Sequence, residues 1–252
     1  MLDAINPTLS PVKNQLLCAL SSEVQARLFP FLELVKLPLK QVIQGIDEKL
    51  AFVYFPIDAI VSLLSVMENG ASSEIAMVGN EGVVGVALLM GGESATSRAM
   101  IQSAGYAYRL KGSILMTEFH RHGQLLELML RYIQSLMTQM AQTAVCNRHH
   151  SIDQQLCRWL LLSIDRLPEN HLVITHEYIA NMLGVRREGI TEAAGRLQKR
   201  GVIEHHRGHI TVLDRVNLEA LCCECYDVVK KETDRLLTRR LLGHRQRLAT
   251  GK

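Results

Sequence analysis

The pattern of apolar and polar positions changes twice along the chain and predicts three structural regions. From residue 34 to residue 110, apolar side chains alternate with polar ones or form short runs between turn residues. Segments 60–66 and 73–78 are examples, and the Asn69-Gly70 pair between them favours a hairpin because it readily adopts the positive φ angles of short turns. Many short strands without intervening helices predict a β-roll or barrel.

A long amphipathic helix is predicted after the strands. Between Ile114 and Thr143, apolar side chains recur at three- and four-residue steps, which is the period of a helix with one apolar face. Because this helix would lie between two domains, its stripe predicts the seam of a homodimer. The alternative is that the stripe covers the sheet without a partner chain. Its members are Leu125, Leu128, Met129, Tyr132, Leu136 and Met140.

Residues 175–199 have the pattern of a helix-turn-helix. Thr175 is a good N-cap for a helix over 176–183, and a second helix is predicted from about Arg187 to Lys199. Gly184 lies between them and can adopt the left-handed conformation that the turn requires. The residues expected to form the core of this unit are Ile179, Ala180, Leu183, Gly184, Val185 and Ile190.

A β-hairpin wing is predicted directly after the second helix. Segments 202–206 and 209–213 alternate apolar and polar residues and are joined by Arg207-Gly208. Upstream, Ser151 with Gln154 three residues later is a capping-box signal for the first helix of the same unit. The order of elements is that of a winged helix-turn-helix.

The predicted fold class is therefore α+β, in three parts. Residues 1–115 form a sensor β-roll with N-terminal helices, residues 116–150 a dimerisation helix and hinge, and residues 151–252 a winged helix-turn-helix domain. The last part ends in a basic helix that would contact DNA backbone or a partner, or lie solvated. Its cations are Arg235, Arg239, Arg240, Arg245 and Arg247.

The winged unit predicts contacts with double-stranded DNA. In such a unit the second helix enters the major groove by its N-terminal end, where Arg reads guanine and Glu accepts from cytosine. The base-reading candidates are Arg187, Glu188, Thr191 and Glu192. Backbone candidates, which set affinity and register, are Thr175, His176, Arg186, Arg196, Lys199, Arg200 and Arg207. For Arg196 and Lys199, a merely solvated helix face is the alternative.

The charge distribution agrees with this assignment. The net charge of the 252 residues is only +3. Residues 1–115 carry 8 Lys+Arg against 10 Asp+Glu, whereas residues 151–252 carry 17 against 13. The basic C-terminal part should therefore face the polyanion.

Residues 175–214, THEYIANMLGVRREGITEAAGRLQKRGVIEHHRGHITVLD, resemble the Crp/Fnr group of bacterial transcription regulators. The order of β-roll, long helix, hinge and winged helix is also similar, so the resemblance covers nearly the whole chain. It implies that Arg187-Glu188 is the base-reading pair of a homodimer on a palindromic operator. Arg186 replaces the usual serine, and Glu192 stands where the cyclic-AMP-responsive members carry arginine. The operator sequence therefore need not be theirs.

The resemblance also implies a cyclic-nucleotide-binding-like roll, but with a degenerate effector pocket. Gly85 is followed by Val86, where nucleotide-binding members carry glutamate. In Ser97-Arg98-Ala99 the arginine is one position off, and a one-residue shift on a strand turns the side chain to the other face. We expect no cyclic-AMP binding, no cofactor, and either an unidentified small-molecule effector or a structural role for the roll.

Cysteine and histidine residues leave a second hypothesis open, a redox- or metal-responsive regulator. Only Cys18 precedes the roll, so the iron-sulfur cluster of the oxygen-sensing members is not expected. Cys146, His149 and His150 could share a helical face and bind zinc, and Cys222-Cys223-Glu224-Cys225 forms a second group. A buried thiol with exposed histidines is the favoured interpretation, so no metal site is predicted.

Other classes of protein are disfavoured by the sequence. No P-loop, Gly-x-Ser-x-Gly or His-Glu-x-x-His motif occurs, so no enzyme is predicted. The longest apolar run, 82–92, is too short to span a bilayer, and no secretory signal is seen, so a cytoplasmic protein is expected. RNA polymerase is a candidate further partner. An adaptor that uses its winged helix to bind protein is the remaining alternative.

Overall fold

Two antiparallel sheets enclose the core of the N-terminal half in this computed structural model, which describes residues 9–237. Two short helices, α1 (Gln15–Ala19) and α2 (Ser22–Leu28), precede seven strands. These are β1 (Glu33–Leu37), β2 (Val42–Gln44), β3 (Phe52–Pro56), β4 (Ile60–Val66), β5 (Ser72–Val78), β6 (Arg98–Ser103) and β7 (Gly105–Lys111). One sheet has the order β1-β7-β3 and the other β2-β6-β4-β5. The predicted β-roll is confirmed, as is the turn between β4 and β5.

The predicted long helix is interrupted. It consists of α3 (Gly112–Phe119) and α4 (Gln124–His149), separated by a turn in which His122 has a φ of 54°. The prediction of one helix from Ile114 to Thr143 is therefore wrong at residues 120–123. His120, Arg121 and His122 are exposed there, and Gly123 is the N-cap of α4.

The apolar stripe of α4 packs inside the chain. Leu125, Leu128, Met129, Tyr132 and Leu136 are buried in the core of the roll, and Met140 packs against it half-buried. The Tyr132 hydroxyl donates to the Val83 carbonyl oxygen at 3.0 Å. The assignment to a dimer seam is therefore wrong for the five buried residues, because the sheet already covers them. A different face of α4, with Leu130 and Met137, is exposed.

The C-terminal part contains the predicted winged helix-turn-helix. Its elements are α5 (Ile152–Ile164), β8 (His171–Val173), α6 (His176–Leu183), α7 (Arg187–Lys199), β9 (Ile203–His206), β10 (His209–Val212), α8 (Arg215–Leu221) and α9 (Glu224–Leu237). The capping box of Ser151 and Gln154 forms as predicted. Strand β8 joins the wing to give the order β8-β10-β9, which was not predicted because three residues carry no periodicity.

The last described helix, α9, lies along α4. Ser135 and Thr233 share a hydrogen bond of 2.8 Å, and Gln134 donates to Glu232 at 3.2 Å. Arg235 lies on α9 and pairs with Glu232 at 2.7 Å. The other predicted tail cations, Arg239, Arg240, Arg245 and Arg247, lie outside the described residues. Within residues 9–237, no helix is long and apolar enough to cross a membrane.

The winged domain packs on the outer face of the four-stranded sheet. Ile60 and Leu64 of β4 and Met77 of β5 share an apolar core with Trp159 and Leu160 of α5. Both faces of β4 are buried, since its other side chains belong to the core of the roll. This double burial explains the nearly continuous apolar run in its sequence.

Five residues form a closed ring of hydrogen bonds within this interface, here called the interdomain ring, which closes through the Trp159 backbone carbonyl. The Trp159 indole N–H donates to Glu74 Oε1 (3.0 Å), and the Gln102 amide donates to Ser163 Oγ (3.1 Å). Ser163 donates to the Trp159 carbonyl oxygen (2.9 Å). Ser62 Oγ lies within hydrogen-bond distance of Glu74 Oε2 and Gln102 Oε1. The ring thus ties β4, β5 and β6 to α5.

The hydrogen-bond balance of the ring favours a proton on Glu74. A serine hydroxyl has one hydrogen, yet an ionised Glu74 and the amide oxygen of Gln102 would both need it from Ser62. A protonated Glu74 donates to Ser62, and the Ser62 hydrogen is then free for Gln102. Burial raises the pKa of the Glu74 carboxyl to about 7, which favours the same protonated form.

We expect Glu74→Gln to remove a pH dependence of stability. A carboxyl whose pKa is higher in the folded than in the unfolded state stabilises the fold at low pH. That contribution is lost as the pH rises from 4.5 to about 7. Across this window the free energy of unfolding of the wild type should fall by about 1.4 kcal/mol per pH unit relative to the variant. The variant's amide donates to Ser62 at every pH.

Urea unfolding at about pH 5 and about pH 7.5 measures the difference. Glu68→Gln, in the exposed turn between β4 and β5, is the matched control and should follow the wild type. Parallel pH profiles of the wild type and Glu74→Gln would contradict a protonated Glu74.

Candidate DNA interface

One glycine fixes the turn between α6 and α7. Thr175 Oγ1 accepts from the Tyr178 backbone N–H at 3.2 Å, so α6 begins where the sequence predicts. Gly184 has a φ of 66°, and its N–H donates to the Ala180 carbonyl oxygen. A Cβ at Gly184 would lie 2.8 Å from Ser73 Oγ of β5. The glycine therefore permits both the left-handed turn and the close approach of the helix-turn-helix to the roll.

The two helices bury the predicted core and expose the predicted reading residues. Ile179, Ala180, Leu183 and Ile190 are buried, and Val185 is half-buried. Arg187 and Glu188 begin α7 and are exposed, as are Thr191 and Glu192 one turn later. The N-terminal end of α7 thus exposes a guanidinium and a carboxylate to solvent.

His176 connects the start of α6 to the first turn of α7. The Thr191 hydroxyl donates to the Arg187 carbonyl oxygen at 3.1 Å, so the Nδ1–H of His176 donates to Thr191 Oγ1 at 3.2 Å. Burial, together with the nearby charges of His205 and Arg187, lowers the pKa of His176. His176 is therefore a neutral ring that positions Thr191, and the Thr191 hydroxyl is engaged within the protein.

The wing lies beside this end of α7. Its turn has Arg207 at a φ of 44° and Gly208 at 83°, the pair of positive angles expected of a tight hairpin. The His176 and His205 rings meet edge to face with centroids 4.9 Å apart. A groove between α6, α7 and the wing is lined by residues that include Thr175, His176, Arg187, His205 and Arg207. His205 was not among the residues predicted from the sequence to contact DNA, because its neighbours in the sequence do not indicate that it lies beside His176.

The remaining backbone candidates differ in their surroundings. Arg186, Lys199 and Arg200 are exposed. Arg196 instead forms a two-pronged ion pair with Asp153 of α5, with distances of 2.8 and 2.5 Å. Arg196 also lies 3.7 Å from Glu192. The carboxylate of Asp153 raises the pKa of Arg196, and the structure thus places this arginine in a contact between helices.

The predicted effector-pocket residues lie on the roll. Gly85 has a φ of 105° and precedes a short 3-10 helix that begins at Val86. The Ser97 carbonyl oxygen accepts from Gln44 at 3.2 Å. Arg98 begins β6 and is half-buried.

The residues that follow Arg98 along β6 show on which face of the sheet its side chain lies. Ala99 and Ile101 lie in the core of the roll, whereas Met100 packs with the winged domain. Because side chains alternate along a strand, Arg98 belongs to the face of Met100, outside the roll.

The structure groups the candidate metal ligands differently from the sequence analysis. Cys146 and His150 lie together with Cys223 and Cys225. His149 is exposed and lies outside this group. The two sequence groups, 75 residues apart, meet because α9 returns along α4.

Comparison with known proteins supports the helix-turn-helix assignment. Residues 154–221 match the family model of the Crp-like helix-turn-helix domain. No curated protein matches the chain.

Solved structures with a similar fold include FixK2 from Bradyrhizobium japonicum, at 17% identity and a TM-score of 0.64, covering 76% of this chain and 98% of FixK2. A CRP-family transcriptional regulator from Thermus thermophilus has 17% identity and a TM-score of 0.61, covering 74% of this chain and 95% of its own. The c-di-GMP responsive regulator CLP from Xanthomonas campestris has 12% identity and a TM-score of 0.61, covering 76% and 99%. The protein therefore contains a Crp-like helix-turn-helix domain and has the fold of the Crp/Fnr transcription regulators.

Proposed function

We propose that the protein is a homodimer that reads a palindromic DNA operator with the N-terminal end of α7. The observation that carries this proposal is the exposure of Arg187 and Glu188 on the first turn of α7, beside the wing. An arginine there can bind guanine O6 and N7 with two hydrogen bonds, and a glutamate can accept from cytosine N4. Arg207 of the wing and the exposed Arg186 lie where they would contact flanking phosphates.

The homodimer would form through the free face of α4. Leu130 and Met137 have 54% and 64% of their surfaces exposed, and Val145 has 45%. With Ala141, these residues recur at steps of seven and four, so they lie along one side of the helix. An apolar helical stripe pairs readily with its own copy about a two-fold axis. Such a dimer would place two copies of α7 at half-sites about one DNA turn apart.

The winged domain would exist in equilibrium between two orientations relative to the roll, and the docked position in this structure would be one of them. Its position relative to the roll depends on the interdomain ring and on the ion pair between Arg166 and Glu81, at 2.8 Å. Only two residues, His150 and Ser151, separate α4 from α5. A signal that favours one orientation would change the spacing of the two reading helices, and hence the affinity for the operator.

The effector of this equilibrium is proposed not to be cyclic AMP, since Arg98 faces outside the roll. The regulator would act in the cytoplasm, with RNA polymerase as a further partner, and the proposal includes no catalytic step. An adaptor that binds protein through its winged helix is the competing function. Sequence-specific DNA binding distinguishes the two.

We expect Arg187→Ala to weaken binding to the preferred operator by about 1–3 kcal/mol and to relax specificity at one position per half-site. The reason is the loss of two hydrogen bonds to one base. Lys199→Ala, which removes an exposed cation from the other end of α7, should weaken binding about equally on all sequences and reduce the salt dependence. Fluorescence anisotropy on the operator and its single-base variants measures both effects. Equal losses on every sequence for Arg187→Ala would exclude base reading by this residue.

We expect Met137→Glu to dissociate the homodimer, because the change places two carboxylates in an apolar seam. Met67→Glu is the matched control, since Met67 has 65% of its surface exposed but lies in the turn between β4 and β5. Sedimentation equilibrium measures the mass of each variant. A Met137→Glu protein that remains a dimer would show that the seam lies elsewhere.

A further inference from the structure

Three thiols and one imidazole meet between the end of α4 and the start of α9. Cys146 lies on the last turn of α4, and His150 is the C-cap residue that follows this helix, four residues later. Cys223 and Cys225 lie on either side of Glu224, where α9 begins. The four potential ligand atoms, one from each residue, lie within 4.8 Å of one another.

Two of the six separations among these atoms match the edges of a tetrahedral zinc site, and the others lie within 4.8 Å. With zinc–sulfur bonds of about 2.3 Å and zinc–nitrogen bonds of about 2.0–2.1 Å, tetrahedral ligand atoms are about 3.6–3.8 Å apart. The Sγ atoms of Cys146 and Cys223 are 3.6 Å apart. Cys225 Sγ and His150 Nδ1 are also 3.6 Å apart. We propose that Cys146, His150, Cys223 and Cys225 bind one zinc ion.

The surroundings of His150 support a ligand role for its Nδ1 atom. The other ring nitrogen, Nε2, lies 3.4 Å from a carboxylate oxygen of Glu224. A metal-bound histidine usually donates its second N–H to a carboxylate or carbonyl, which fixes the tautomer that leaves the first nitrogen free for the metal. Glu224 therefore occupies the position of an outer partner.

A buried arginine lies beside the thiols, and its positive charge would balance the net negative charge of the zinc-bound ligands. Arg158 of α5 has only 3% of its surface exposed, and its Nε atom has no hydrogen-bond partner among the described residues. Its terminal nitrogen donates to Thr143 at 2.7 Å. A buried guanidinium is costly unless an anion compensates it.

Zinc binding to this set of ligands would supply the compensating charge. Three thiolates, a neutral imidazole and Zn²⁺ sum to a charge of minus one, which the Arg158 guanidinium balances. Binding converts three thiols to thiolates and releases their protons to solvent.

The proposed site would join α9 to the segment that connects the two halves of the chain. Cys146 lies on the last turn of α4, and His150 lies between this helix and α5, which begins at Ile152. A bound metal would hold the end of α4 and the start of α9 together, and so fix the hinge beside the winged domain. This inference does not depend on the DNA-binding proposal, because the metal can be measured on the protein alone.

Anaerobic titration of the reduced, metal-free full chain with Co²⁺ tests the proposal. We expect saturation at one equivalent, with the intense visible ligand-field bands of a tetrahedral cobalt thiolate, and displacement by Zn²⁺. His150→Cys should retain binding and shift these bands, since it replaces a nitrogen ligand by sulfur. Failure of the wild type to bind one equivalent would overturn the proposal whatever the variants do.

The variants identify the ligands. Cys225→Ser should weaken metal affinity by more than the roughly 10–100-fold typical of changes to outer partners, and Glu224→Gln should fall within that range. Cys157→Ser is the matched control, because Cys157 is a fully buried thiol of α5 outside the proposed set. Equal affinity of Cys225→Ser and the wild type would overturn the assignment.

A redox pair is the competing chemistry of this cluster. Oxidation would join Cys146 and Cys223 in a disulfide and transfer two electrons and two protons to an oxidant. Intact mass and peptide mapping of protein isolated without oxidant distinguish the two. A Cys146–Cys223 disulfide in that material, without bound metal, would overturn the zinc assignment.

Discussion

The position of the DNA-binding half depends on how polar groups are satisfied inside one apolar interface. Ser62, Glu74 and Gln102 project from the outer face of a sheet that α5 covers, and a buried polar group without a partner costs about 1–3 kcal/mol. Trp159 and Ser163 complete the hydrogen bonds. Because each member needs the next, the ring specifies one register of α5 on the sheet. Sliding the helix would leave several buried groups unsatisfied at once.

Other contacts fix α4 and α5 on the roll. The Gln139 side chain of α4 bonds both the N–H and the carbonyl oxygen of Met77, on the strand that carries Glu74. Arg166, at the end of α5, reaches Glu81 and lies so close to Gly79 that a Cβ there would be 2.7 Å from its Cγ atom. The helix-turn-helix, which is built on α5, α6 and α7, therefore has a defined position on the roll.

The local features of the winged domain were predictable, because each depends on neighbours in the sequence. The cap at Thr175, the left-handed Gly184 and the Arg207-Gly208 turn follow from backbone preferences of single residues. The seam on α4 was mispredicted for a different reason. Periodicity shows that Leu125 and Tyr132 share a face, but it does not show whether that face meets the sheet or a second chain.

Features formed by residues distant in the sequence could not be predicted from local patterns. Ser62 and Glu74 interrupt apolar strands, which is the signal of a buried polar contact, but Trp159, the partner of Glu74 on α5, comes 85 residues later. In the same way, Cys146 and Cys223 come together only through the return of α9 along α4. The chemical type of each residue is visible in the sequence, whereas the contacts between them are visible only in the structure.

The central claim is that the first turn of α7 reads DNA bases in a two-fold arrangement. Selection of bound sequences from a random duplex pool tests it most directly, with an Arg187→Ala, Glu188→Ala double variant in parallel. The wild type alone should enrich a palindrome whose half-sites lie about one helical turn apart. Enrichment of the same palindrome by the double variant, or of an asymmetric site by the wild type, would contradict it.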